Sequence, residues 1–104
     1  MKQIDDFEKG GVTVVVPHGS LDIDSRKLLK DRLVSLIDVG ATAILVDLSA
    51  VDYITSTGLS ALLLPAMRLE KESGKFAVCS LNENITRVFE ICGFSTIMNV
   101  YPSA

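Results

Sequence analysis

Tryptophan is absent, and histidine occurs once, as His18. There are two cysteines, Cys79 and Cys92. Their wide separation excludes a CxxC redox or zinc pair. A single histidine and two distant thiols leave no transition-metal site. Both cysteines lie in apolar patterns and read as inert core thiols, behaving as small hydrophobes. A surplus of basic charge is missing too: 10 Lys and Arg stand against 13 Asp and Glu, for a net charge of −3. That balance excludes a nucleic-acid or anionic-membrane binder held by bulk charge. The longest apolar tract, Leu59 to Met67, contains Ser60 and Pro65 and is less than half a membrane span. The opening Met1-Lys2-Gln3-Ile4-Asp5-Asp6 is acidic with no apolar stretch behind it. No secretory signal is expected, and the expected location is cytoplasmic.

What is present is a chain of 104 residues, 48% of them apolar. That is one domain with a sizeable core, spanning 1–104. Strand-like and helix-like segments alternate. Gln3 to Phe7 reads as a weak polar strand, and Gly10-Gly11 as a turn. Val12 to Val16 is a β-branched run suited to burial on both faces, closed by Pro17. Asp24 or Ser25 can cap a helix in which Leu29, Leu33, Leu36 and Ile37 recur at helical spacing, ended by Gly40. Ala43 to Val46, ending at Asp47, reads as a central strand, and Ser49 to Ile54 as a loop. A second helix is expected from about Thr57 to Ser73, with Gly74 as its stop and a kink at Pro65. Phe76 to Cys79 is another strand. Ser80 with Glu83 reads as a capping box for a third helix. Ile85, Val88, Phe89 and Cys92 form one face of that helix, stopped by Gly93, and Thr96 to Val100 is a last strand. The fold class is therefore α/β: a mixed, mainly parallel sheet of about four to five strands with helices packed on it.

Two stretches could carry function. Thr55-Ser56-Thr57-Gly58 opens a helix. Capping of orphan N–H groups explains one hydroxyl. Three in a row, with a glycine that lets another backbone approach, exceed what capping requires. A helix N-terminus also tolerates a phosphoserine, because its charge meets free N–H groups. The stretch is no Walker A loop, since no Lys follows Gly58, and no GxSxG elbow, since no Gly stands two residues before Ser56. The second stretch is Gly19-Ser20-Leu21-Asp22-Ile23-Asp24-Ser25. One of Asp24 and Ser25 suits an N-cap, which leaves Asp22 over. Loops at strand C-ends gather at one sheet edge, so Asp22 and Ser56 can meet there. Asp47 or Asp52 could supply a second acid for acid–base work, but no base, metal or pocket accompanies them. His18 reads as a surface or turn residue. Arg68, Lys71 and Lys75 interleave with Glu70 and Glu72, which indicates a solvated helix face.

At these residues the chain resembles a stand-alone STAS domain of the anti-sigma factor antagonist type, over nearly its whole length. Gly19-Ser20-Leu21-Asp22 is similar to the family's G-x-[LI]-D, and Val46 to Val51 to its v-D-L-s-x-v strand end. Ser56-Thr57-Gly58-Leu59 is similar to its [ST]-[ST]-G-L helix start, and Ile85 to Phe94 to its last-helix pattern. The resemblance implies a protein-binding switch without enzymatic activity or cofactor. The implied partner is an anti-sigma factor that is also a serine kinase of the GHKL type. Phosphorylation of Ser56 would abolish binding, and a PP2C-type phosphatase would reset it. Asp22, Ile54, Thr55, Thr57, Gly58 and Leu59 would form the partner-binding surface. One position departs from the family: Thr55 stands where an Asp usually precedes the phosphorylated serine, which removes a negative neighbour. The alternative is a STAS docking subunit of another bacterial signalling or transport complex, never phosphorylated. A small α/β enzyme lacks a nucleophile–base pair, metal ligands and a phosphate loop. A receiver domain lacks an acidic pair at the end of its first convincing strand.

Overall fold

A computed structural model of the chain describes residues 3–94 and 98–103. The chain opens with a hairpin. β1 (Gln3–Lys9) pairs antiparallel with β2 (Val12–Leu21), from Lys9 opposite Val12 to Gln3 opposite His18. β2 does not stop at Pro17 as the sequence suggests; it runs on to Leu21. The ladder between β2 and β3 (Ala43–Asp47) covers only Thr13 to Val15. The N–H that proline lacks therefore interrupts no central pairing. Val14 and Val15 are both buried, on opposite faces of the sheet.

α1 (Arg26–Asp38) buries Leu29, Leu33 and Ile37, and Leu36 packs beside them. Gly40 follows at φ +107°. The segment expected to be a loop holds a short strand, β4 (Val51–Ile54), parallel to the end of β2. Its period-two signal is lost because the β2–β4 register shifts between Gly19 and Leu21. Val51 and Ile54 are buried while Asp52 and Tyr53 are exposed, a pattern that does not read as a strand.

α2 (Ser56–Lys71) is one helix through Pro65. After it, Ser73, just before the expected stop Gly74, takes the left-handed conformation (φ +64°). Gly74 is needed for space instead: a Cβ there would fall 2.6 Å from the Thr42 carbonyl oxygen. β5 (Lys75–Cys79) pairs with β3, and β6 (Asn99–Tyr101) with β5, both parallel. Thr96 and Ile97, expected in the last strand, lie outside the described residues. Between them α3 (Glu83–Ile91) buries Ile85 and Phe89. The sheet order is β1-β2-β3-β5-β6, with β4 attached to β2. Among the described residues that makes six strands where about four to five were expected, and every pairing except the first hairpin is parallel.

One hydrophobic cluster joins all three helices to one face of this sheet. Val15, Ile44, Val46, Phe76 and Val78 meet Leu33, Leu62, Leu69 and Phe89. On the edge, Arg32 of α1 reaches across to β1, donating to the Ile4 carbonyl at 3.1 Å and pairing with Asp6 at 2.7 Å.

Candidate functional site

Two chain crossings form the site. β2 ends at Leu21 and β4 ends at Ile54, and these two residues are register partners. Asp22 and Thr55 are therefore the first residues beyond a paired pair of strand ends. The Thr55 amide closes the crossing by donating to the Leu21 carbonyl at 3.0 Å.

At the α2 start the hydroxyls divide their work. Thr55 is the N-cap, and its side chain accepts from the Gly58 amide at 3.0 Å. Its carbonyl accepts from the Leu59 amide at 2.9 Å. Ser56 and Thr57 are exposed. Among the described residues the Ser56 hydroxyl has no hydrogen-bond partner. The Ser56 and Thr57 amides are likewise unused, as the first N–H groups of a helix are. Gly58 is buried against β2: a Cβ there would meet the Leu21 carbonyl oxygen at 2.2 Å and the Asp22 nitrogen at 2.7 Å. The expected close approach of a second backbone at this glycine is found, and its partner is the Leu21–Asp22 peptide.

The Asp22 loop corrects the expected cap of α1. Ser25 occupies the N-cap position but makes no side-chain cap bond. Its buried hydroxyl donates to the Ser20 carbonyl at 2.8 Å and receives the Asp22 amide at 3.0 Å. The side chain that serves the turn is Asp22. Its Oδ1 accepts from the Asp24 amide at 3.0 Å and the Ser25 amide at 3.2 Å. These bonds, the Ser25 amide first, hold the Asp22 carboxyl below its ordinary range. Asp22 is thus ionised at neutral pH, and its Oδ2 is unengaged among the described residues.

Two expected contact residues are corrected. Ile54 is 2% exposed and Leu59 0%. Both belong to the hydrophobic core, so neither offers surface to a partner. The exposed apolar side chains that flank the site are Ile23 (61%) and Tyr53 (46%). Tyr53 was missed because β4 was not legible as a strand. Also missed was Asn82, which replaces the expected Ser80 box. Its side chain accepts from the Ile85 amide at 2.9 Å, capping α3, and donates to the Val51 and Asp52 carbonyls. Ser80 cannot cap, because it sits in the left-handed region at φ +62°. Asn84 accepts from the Ile54 amide at 3.3 Å. Together the two asparagines tie the start of α3 to β4, directly behind Thr55 and Ser56.

Asp47 accepts from the Ser49 amide in its own turn, and Asp52 is exposed on β4. His18 sits 3.0 Å from Asp5 on the hairpin, away from the site. Among the described residues no group of three or more His, Cys, Asp or Glu could hold a metal ion. No helix among them is long and apolar enough to cross a membrane.

A mainly parallel sheet with helices on one face, presenting a free serine at a helix start beside a carboxylate turn, defines a small α/β module built around a surface. The profile of the STAS domain family matches residues 3–104, and the chain belongs to that family. It is 32% identical over 90 residues to BtrV of Bordetella bronchiseptica, provisionally named an anti-sigma factor antagonist, covering 86% of this chain and 78% of that protein. It is 30% identical over 82 residues to the anti-sigma-B factor antagonist of Bacillus subtilis, covering 79% of this chain and 74% of that protein. The crystal structure of an anti-sigma factor antagonist from Mycobacterium paratuberculosis superposes with a TM-score of 0.87 at 27% identity, over 97% of this chain and 86% of that one.

Proposed function

We propose that this chain is an anti-sigma factor antagonist that works by binding and not by turnover. Its partner is an anti-sigma factor of the GHKL serine-kinase type. That kinase transfers the γ-phosphoryl group of ATP to the Ser56 hydroxyl, and a PP2C-type phosphatase removes it with water. The observation that carries this reading is the division of labour at the start of α2. Thr55 does the capping, so Ser56 is exposed and structurally unemployed. Asp22, Thr57, Ile23 and Tyr53 surround it as the docking surface, with Gly58 setting the approach of the two loops.

The physics of the switch follows. A phosphate adds about −1.5 to −2 charge at pH 7. At a helix N-terminus that charge is tolerated by the fold, because two amides there are free. At an interface beside ionised Asp22 it is repelled and must be desolvated. A loss of about 3–4 kcal/mol weakens binding by two to three decades. The modification therefore needs no refolding.

The test is calorimetric titration of the co-purifying kinase with wild type and with Ser56→Asp. The expected loss is about a hundredfold or more. Equal affinity for the two would sink the reading. Thr55 supports a second reading, since the acidic residue usual before the serine is replaced by a neutral cap. If Ser56 carries no phosphate in cells under any growth or stress condition, the chain is a constitutive docking subunit.

A further inference from the structure

We propose that the helix-free face of the sheet is a docking surface for a second copy of this chain. The helices cover one face only, through Val15, Ile44, Val46, Phe76 and Val78. The residues alternating with these point to the opposite face. Among the described residues no helix packs there.

The pairing register draws that face as three rows. The middle row runs Phe7, Val14, Leu45, Ala77, each the register partner of the next. It is an apolar band four strands wide, in which Val14 is buried between its neighbours and Leu45 and Ala77 are half-buried. Phe7 is 51% exposed at one end of the sheet, and Tyr101 is 52% exposed at the other. A depression of about 310 Å³ opens beside the band, lined by Val12, Ala43, Leu45, Ala77 and Tyr101. Phe7, Tyr101 and the half-buried Leu45 and Ala77 still give this face exposed apolar surface, and such a surface marks an interaction site.

Charge selects the occupant. Lys9 and Lys75 stand on the row to one side of the band, in register with Val12 and Ala43. Asp5 and Asp47 stand on the row to the other side, in register with Val16 and Cys79. Lys9 and Lys75 have no ion-pair partner among the described residues. Asp5 is held by Gln3 and His18, and Asp47 by the Ser49 amide. The face is therefore basic at one end, acidic at the other and apolar between. Consider a two-fold axis lying between two such sheets and running across their strands. It superposes the apolar band on itself. It lays Lys9 over Asp5 of the second copy, and Lys75 beside Asp47 of the second copy. The surface is self-complementary, as an isologous dimer requires. An anionic lipid surface would meet the acidic row as well as the basic one. Asp22, Ser56 and Thr57 lie outside this face, so a dimer would carry two proposed switch sites.

The test is sedimentation velocity of the full chain alone, from low micromolar to near-millimolar concentration. Wild type is expected to form dimers as concentration rises. Lys9→Glu should weaken the dimer about tenfold or more, and Lys9→Glu combined with Asp5→Lys should restore it. Phe7→Glu should also weaken it. Lys9 and Phe7 are exposed, so circular dichroism should find each variant folded. A chain that stays monomeric throughout overturns the proposal and points to a different occupant. A dimer unmoved by Phe7→Glu and Lys9→Glu overturns it too, because the interface then lies elsewhere. A double swap that fails to restore the dimer rejects the charge pairing. No kinase is present in this measurement, so its failure would leave the Ser56 reading standing.

Discussion

A methyl group on Gly58 would sit 2.2 Å from the Leu21 carbonyl oxygen, closer than any real contact allows. The same carbonyl accepts the Thr55 amide at 3.0 Å. The glycine and the β2–β4 crossing are thus one device: α2 can start where it does only because nothing projects from position 58. Gly58→Ala should push the two loops apart and cost about 1–3 kcal/mol, as over-packing of backbone against backbone does. Urea denaturation of the variant would measure it. A stability equal to wild type would mean that the crossing is looser than described.

The threonine and serine before that glycine should separate cleanly. Thr55 accepts the Gly58 amide, so Thr55→Ala should lose about 1 kcal/mol of stability. Ser56 is exposed and unbonded, so Ser56→Ala should stay within about 0.5 kcal/mol of wild type. Thermal unfolding of the two variants under one condition is enough. If Ser56→Ala were the more damaging of the two, Ser56 would have a structural role that its exposure denies.

Much of this arrangement was legible in the sequence, and the parts that were not share a cause. Helices with regular apolar spacing, such as Leu29, Leu33 and Ile37, announce themselves because burial repeats with the turn. Strand β3 announces itself because its apolar run is bounded. β4 did not, because the register shift opposite Gly19 and Leu21 breaks the alternation that sequence reading depends on. Without β4, Ile54 looked like a loop residue available to a partner, when it is core. The caps misled for a different reason. Ser25 and Ser80 occupy plausible positions, but Asn82 caps α3, and at α1 no side chain caps the helix while Asp22 serves the turn ahead of it. Spacing limits which residue can cap and does not decide among neighbours two or three residues apart.

The Asp22 turn predicts a pH dependence. Its carboxyl is held below the ordinary 3.8 chiefly by the Ser25 amide. A depressed acid stabilises the fold in its ionised form above the unfolded-state value, and that contribution is lost as pH falls through the lower folded-state value. The stability gap between wild type and Asp22→Asn should therefore be level from neutral pH down to about 4 and should narrow in more acid solution. Thermal unfolding across that range checks it. A gap that stays level below pH 3 would show that the charge contributes nothing to the turn.

The two thiols should differ sharply in reactivity. Cys79 is fully buried at the end of β5, and burial, with the nearby Asp47 carboxylate adding to it, raises its pKa. A thiol reagent needs both access and thiolate, and Cys79 offers neither in the folded state. Cys92 is half-buried just past the end of α3. In the native protein at pH 8 an aromatic disulfide reagent should titrate Cys92 first. Cys79 should react only at the rate at which the fold opens, and rapidly in denaturant. The Cys92→Ser variant isolates the slow thiol. Fast labelling of Cys79 in that variant would mean that the β5–β6 edge opens far more readily than the rest of the core, and hydrogen exchange of the Val78 and Cys79 amides would then be fast as well.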